Sequence, residues 1–260
     1  MDKVSVITVV RNDIAGIQLT LKSVLGQDYR GVEFLVFDGK STDGTAQYIA
    51  EYSDRIDFWV SEKDEGIYDA MNKGIEKASG QWIIFMNSGD EFYSTGTLSD
   101  VFQDGKNEDC DIIYGNHMIK YSPPRKQKLK KAGEIRNIIF GGQFSHQASF
   151  VKASLLKSNP FDLSYKITAD YNFFLQSWVK DRKFRKVDIT IAKISPYGAS
   201  DTNQLEVIRS WRQIVLNFAP ESKSVKWTLH FFILEQKTIV FDGIKRVLKN
   251  LKLWPVANTN

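Results

Sequence analysis

A chain of 260 residues that is 42% hydrophobic and 13% aromatic can build one large α/β domain or two small ones, and this composition excludes a disordered chain. A lone cysteine, Cys110, excludes an intramolecular disulfide and a cysteine-based zinc site, and suits a reducing compartment. The net charge of +4 is too mild to imply nucleic acid, and nowhere do about 18 apolar residues run together as a membrane span requires.

Val4 to Val10 is a β-branched run with polar boundaries, which predicts a buried strand; it is too short for a signal peptide or a membrane span. Ile14, Ile17, Leu21, Val24 and Leu25 then recur at helical spacing. A second strand is predicted from Val32 to Phe37 and a helix from Thr42 to Tyr52, with Ser41 or Thr42 able to cap it. Phe58 to Ser61 reads as a third strand, Ile67 to Ala78 as a helix ended by Ser79-Gly80, and Trp82 to Met86 as a fourth strand. This alternation predicts a mostly parallel sheet with helices on both faces. The second half is less regular. Strands are expected at Asp111 to Tyr114, Phe144 to Val151 and Phe184 to Ile194, with a helix at Ala169 to Val179. The basic, proline-containing stretch from Lys120 to Gly133 reads as a loop or hairpin insertion. From Gln204 onward the pattern is helical, with Pro220 and Pro255 as breaks.

Ligands of such sheets sit outside the carboxyl ends of the strands, so polar residues just after strands are the places to look. Arg11-Asn12-Asp13, Asp38 to Gly44, and Asn87-Ser88-Gly89-Asp90 all qualify. Carboxylates at Asp38 and Asp43 among small residues suit hydrogen bonds from a ribose or base edge; a turn with a helix cap is the structural alternative. An acid after the fourth strand suits Mg²⁺ or Mn²⁺, which prefer oxygen ligands; an exposed turn is the alternative there. Asp64 to Gly74 opens a helix, where acids also answer the helix dipole, yet Asp69, Asn72 and Lys73 are spaced to share one polar face.

Taken together these segments resemble the family 2 glycosyltransferases, which have the GT-A fold. The resemblance begins with Ser5-Val6-Ile7-Thr8-Val9-Val10-Arg11-Asn12 and Ser23-Val24-Leu25-Gly26-Gln27. It continues through the Asp38 to Thr45 and Asp64 to Gly74 segments, and reaches Asn87-Ser88-Gly89-Asp90 where the family's DXD-type motif falls. It runs on to His146-Gln147-Ala148-Ser149-Phe150 and Thr168-Ala169-Asp170-Tyr171. The fold implied is a central, Rossmann-like, mostly parallel sheet flanked by helices. The donor site implied takes in the backbone after Thr8, with Val10, Arg11 and Asn12 at the end of the first strand, and Asp38 and Ser41 at the end of the second. It also takes in Asp64, Asp69, Asn72 and Lys73 around the third helix, and Asn87, Ser88 and Gly89 after the fourth strand. Asp90 would ligate Mn²⁺ or Mg²⁺ and Asp170 would be the general base of an inverting transfer, with His146 and Gln147 on the acceptor side. The motif departs from the commonest form, since Asp90 is its only carboxylate. Metal and donor are therefore expected to bind together.

The expected organisation is a catalytic domain over 1–204, with a nucleotide-sugar half to about 115 and an acceptor half over 116–204, then a helical basic extension over 205–260. That extension carries nine Lys/Arg and four Asp/Glu, and its Trp211, Trp227, Phe231, Phe232 and Trp254 are amphipathic or apolar anchors. Such a composition suits an anionic membrane surface, or packing on the sheet or on a second copy as a homo-oligomer. The function implied is transfer from a nucleotide-sugar, with UDP expected, to a glycan or an undecaprenyl-pyrophosphate-linked saccharide in O-antigen, capsule or exopolysaccharide synthesis. The expected place is the cytoplasm, at the inner face of a bacterial membrane. A rival nucleotidyltransferase would show a basic, Gly-rich phosphate loop after the first strand, which is not seen. A nucleotide-sugar-binding module without catalysis is the non-enzyme rival.

Overall fold

The computed structural model describes residues 1–102, 105, 107–121, 126–196, 198, 202–218 and 225–250, the side chains of 225–228 and 245–250 excepted. The predicted breaks at Pro220 and Pro255, and the anchors Trp227 and Trp254, fall outside that description. In chain order the strands are β1 (Val4–Val10), β2 (Val32–Asp38), β3 (Phe58–Ser61), β4 (Trp82–Phe85), β5 (Glu91–Phe92), β6 (Ile112–Ile119), β7 (Lys128–Lys130), β8 (Ser149–Lys152) and β9 (Phe184–Ile194). The α-helices are α1 (Ile14–Leu25), α2 (Thr45–Ala50), α3 (Ile67–Lys77), α4 (Thr97–Phe102), α5 (Ala153–Ser158), α6 (Ala169–Val179), α7 (Gln204–Phe218) and α8 (Val225–Asn250). Short 3-10 turns occupy Ile135–Phe140 and His146–Ala148.

One sheet runs in the order β3-β2-β1-β4-β8-β6-β9-β5, with β7 pairing off β6. Strands β1 to β4 pair in parallel, as the alternating strand and helix signals predict. Past β4 the pairing is mixed, because β8 runs antiparallel to both neighbours while β6 and β9 are parallel. The period-2 pleat splits the apolar residues between two faces. Ile7, Val9, Leu35 and Phe37 face α3, α5, α6 and α7, whereas Val4, Val6, Val10, Phe34 and Val36 face α1 and α4. Ile7, Ile17 and Ile83 are fully buried, and each such side chain contributes about 1.5–3 kcal/mol of hydrophobic stabilisation. Helix α7 buries Ile208, Ile214 and Val215 in the same cluster as the strands, so the start of the helical extension is part of the sheet's own packing.

Local predictions fail in three places. Helix α2 starts at Thr45 rather than Thr42, and neither Ser41 nor Thr42 caps it; Gly44 is its N-cap, at φ 99°, and the Ser41 hydroxyl is bound to Asp38. The strand expected from Phe144 begins only at Ser149, because His146–Ala148 coil into a 3-10 turn. Strand β6 runs to Ile119, beyond the expected Tyr114, because β7, drawn from the basic stretch, and the long β9 extend the pairing.

Candidate active site

Two loops interlock at the carboxyl end of the parallel strands. Asp38, only 2% exposed, ends β2, and its carboxylate accepts from the Ser41 N–H at 3.0 Å, the Ser41 hydroxyl and the Ser61 hydroxyl. The loop after β1 joins it: Asn12 N–H donates to Ser41 Oγ at 2.7 Å, and Asn12 Oδ1 accepts from Thr42 N–H at 2.8 Å. Asn12 and Lys40 both sit in the left-handed region, at φ 49° and 57°, a conformation that asparagine tolerates better than lysine. Gly39 lies under the Asp64 carboxylate, where a Cβ would stand 2.4 Å from Asp64 Oδ2 and 3.3 Å from Arg11. Any side chain there would push Asp64 or Arg11 off the rim.

The turn after β4 adds the next groups. Ser88 Oγ donates to Asp13 Oδ2 at 2.8 Å, while Asp13 Oδ1 caps α1 through the Gly16 N–H. Gly89, at φ 87°, turns the chain so that Asp90 points inward at 5% exposure. The Asp90 carboxylate accepts from the Gln147 side-chain amide and from the Ser195 backbone N–H, both at 3.1 Å. Burial drives its pKa up to about 6, only partly opposed by Ser195, Gln147 and the charges of His146 and Lys120.

At the far end stands Asp170, in the first turn of α6, with its side chain 23% exposed. The Tyr68 hydroxyl lies 2.9 Å from Asp170 Oδ1, and His146 Nδ1 lies 2.9 Å from Asp170 Oδ2. With its proton on Nδ1, His146 leaves Nε2 to accept from Asn87 Nδ2 at 3.3 Å. Burial pushes the Asp170 carboxyl up, but the hydrogen bond and charge of His146, with Tyr68, outweigh it and hold the pKa below the usual 3.8. Asp170 is thus ionised at neutral pH. Adjacent residues of one 3-10 turn, His146 and Gln147, tie together the acids at positions 170 and 90.

Asp38, Asp64, Asp90 and Asp170 therefore share one rim with Arg11, Asn12, Ser41, Asn87, Ser88, Gly89, His146 and Gln147. The side chains of Thr8, Val10 and Asn72 are turned from the rim, while a contact from the backbone after Thr8 does not depend on them. Thr8 is fully buried and its hydroxyl donates to Met86 O at 2.7 Å; Val10 is 6% exposed, with its side chain in the core. Both belong to β1 itself, whose interior residues are consumed by the sheet. Asn72 turns inward, its amide clasping the backbone of Phe161 at 2.8 and 2.9 Å, so it does not share a polar face with Asp69 and Lys73. Asp69 holds the Glu65 N–H at 3.0 Å, and Lys73 pairs with Glu62 at 2.8 Å and with Asp69 at 3.5 Å, an arrangement that braces the start of α3. Glu91 pairs with Lys120. Three supporting residues were given no such role by the sequence. Tyr68 lay inside a recognised segment and had only its polar tip as a signal. Thr20, whose hydroxyl accepts from Gly89 N–H at 3.0 Å and donates to Asp90 O at 2.7 Å, looked like an ordinary helix residue. Ser195 reaches Asp90 only because β5 pairs with the end of β9.

Among the described residues no three His, Cys, Asp or Glu side chains gather as a metal cage. Two oxygens on the rim nonetheless suit a hard divalent cation: the Asp90 carboxylate, which bears two hydrogen bonds and has lone pairs to spare, and Asn87 Oδ1, which is buried with no partner. The residues fit a cation that takes its remaining ligands from a bound diphosphate and water.

A family model, Glycosyl transferase family 2, matches residues 5–164, a stretch that includes every rim group except Asp170 and Ser195. The chain belongs to glycosyl transferase family 2. An uncharacterized glycosyltransferase of Mycobacterium tuberculosis is 36% identical over 179 residues, covering 67% of this chain and 68% of that one. The Campylobacter jejuni GalNAc(5)-diNAcBac-PP-undecaprenol beta-1,3-glucosyltransferase is 30% identical over 176 residues, covering 62% of this chain and 55% of that protein. Among solved structures, residues 1–349 of S. aureus TarS in complex with UDP-GlcNAc superpose with a TM-score of 0.63 at 21% identity, covering 88% of this chain and 70% of that one. The fold is the GT-A glycosyltransferase fold, and the chain is a glycosyltransferase.

Proposed function

We propose that this glycosyltransferase moves a sugar, with inversion, from a UDP-sugar to a hydroxyl of a saccharide acceptor carried on a lipid pyrophosphate. One observation carries the reading: a hydrogen-bonded line along a single rim, from Asp38 through Ser41 and Asn12, then from Asp13 through Ser88 and Asn87 to His146 and Asp170. Nucleoside recognition falls to Asp38, Asn12 and Arg11 at one end. The buried Asp90 and Asn87 Oδ1 would hold Mn²⁺ or Mg²⁺, whose charge would favour departure of the diphosphate. At the other end Asp170 takes the proton of the acceptor hydroxyl as that oxygen bonds to the anomeric carbon. The bond from that carbon to the diphosphate oxygen breaks in the same displacement, and the nucleoside diphosphate leaves with the electron pair. His146 and Tyr68 position the Asp170 carboxylate. The UDP-GlcNAc in the TarS complex supports the choice of donor, and the undecaprenol-linked substrate in the Campylobacter relative's name supports the acceptor class.

Placement at the inner face of a membrane, in assembly of a surface polysaccharide, agrees with α8. Leu229, Phe232, Ile233, Val240 and Ile244 recur along it at helical spacing and are 42–59% exposed. No helix among the described residues is long and apolar enough to cross a membrane. The test is a screen of UDP- and GDP-sugars with Mn²⁺ or Mg²⁺, reading hydrolysis and transfer to a GlcNAc-pyrophosphate-lipid analogue. UDP-sugar turnover that stops with EDTA is expected; binding without turnover would favour the non-catalytic module instead.

A further inference from the structure

Beside Asp170 opens a cleft of about 80 Å³. Its walls are aromatic: Phe144, Tyr171 and Phe174 from the catalytic domain, and Trp211 from α7. Thr168, Gln143 and Asp170 supply its polar lining. The walls are rigidly built. Phe144 stacks on Tyr114 at 4.4 Å and meets Phe174 edge-on at 4.8 Å, and the Tyr171 hydroxyl is tied to Ile138 O at 2.7 Å. Trp211 packs on Tyr171 at 5.2 Å and comes close to the backbone of Gly141 and Gly142, where a Cβ would stand 2.8 Å and 3.3 Å from its ring. Glycine at both positions is what lets the indole close one side of the cleft; Gly141 also adopts φ 126°. Thr168 Oγ1 and Ser210 Oγ hydrogen-bond, pinning α7 to the start of α6 next to the base.

We propose that this cleft is the acceptor subsite, and that Trp211 is the platform on which the acceptor's terminal pyranose ring packs while presenting its hydroxyl to Asp170. The proposal deepens the reading of Asp170 as base and rests on it. The occupant follows from the lining. An alkyl chain would want an apolar groove throughout, whereas here apolar rings stand beside a carboxylate and a hydroxyl. A pyranose has that split character, with a C–H face for the indole and hydroxyls for the acid. Helix α7 thereby belongs to the substrate site, a role that its composition alone does not suggest.

The experiment uses the full chain, with methyl glycosides of glucose, galactose and N-acetylglucosamine as probes in saturation-transfer NMR, and UDP titration in parallel. Ring protons of at least one glycoside should receive saturation in the wild type. Trp211→Leu keeps the packing against the two glycines but removes the aromatic face. It should weaken that glycoside about tenfold, with UDP affinity unchanged within about twofold, and Trp211→Phe should restore most of the loss. No saturation of any ring, equal binding by Trp211→Leu, or loss of UDP and glycoside binding together would overturn the proposal. Saturation confined to the alkyl chain when octyl glycosides replace the methyl ones would assign the cleft to lipid and overturn it as well. Asp170→Asn separates the two claims. It should abolish transfer while leaving glycoside binding intact; wild-type transfer by that variant would sink the base and leave the cleft to be judged by NMR.

Discussion

Two buried acids at opposite edges of the sheet meet opposite treatment. Glu33, near the amino end of β2, accepts from the Ser5 and Ser79 hydroxyls and the Ser79 N–H, and pairs with Lys3 at 2.9 Å. Burial alone would raise its pKa, but those four donors bring it down to about 2. Asp90, at the carboxyl edge, has two donors and no cation in contact, and it stands at about 6. The lower edge is closed and satisfied. The upper edge leaves charge unanswered where a cation and a diphosphate would answer it, as functional sites commonly do.

The comparison breaks most visibly at Asp170, which belongs to the upper edge but is already ionised. Asp170→Asn should cut kcat about 10²- to 10⁴-fold with UDP affinity preserved, measured by radiolabelled sugar transfer. A loss of UDP binding instead would make Asp170 structural. The two edges should next respond to neutralisation with opposite signs. Glu33→Gln should destabilise the protein by up to about 3 kcal/mol at neutral pH, since a carboxyl held near 2 rather than 4.5 stabilises the fold by that amount. The deficit should be full above pH 4.5 and vanish as pH falls through 2, with transfer at 20 °C unchanged. Asp90→Asn should do the reverse in the metal-free protein. A raised carboxyl pKa costs stability as pH climbs from 3.8 through 6, so the variant should be up to about 3 kcal/mol more stable than wild type at pH 7.5 and equal to it below 3.8. Denaturant melts across pH decide both, and a less stable Asp90→Asn at pH 7.5 would refute the uncompensated edge. The smallest effect is expected at His146. His146→Ala removes the largest influence lowering the Asp170 pKa, so the acid limb of kcat/KM should move to higher pH. The rate should drop by about 1–2 kcal/mol, and an unmoved limb would free His146 of that role.

Why one half of the site was legible and the other less so follows from chain separation. Asp38 is bound by Ser41, three residues on, in a loop that directly follows a strand; strand, turn and helix signals in consecutive order expose such a group. Asp170 depends on His146, 24 residues away, and on Tyr68, 102 away, while Asp90 depends on Gln147 and Ser195, 57 and 105 away. The motif resemblance marked the two acids but not their partners. It also credited Asn72 with a donor contact, because a motif records which residues recur and not which way they face. Asn72 is spent on the Phe161 backbone.

By itself the sequence determined the parallel half of the sheet, since an apolar run of seven residues followed by helical periodicity leaves the chain few ways to bury both faces. It also determined which strand ends would carry acids. Only the tertiary structure decided what each acid became. Hydrogen-bond partners and desolvation come from residues brought together across the sheet, and they separate a carboxyl at about 2 from one at about 6. The cleft beside Asp170 was decided there as well, because its indole arrives from a helix that begins 34 residues after the base it serves.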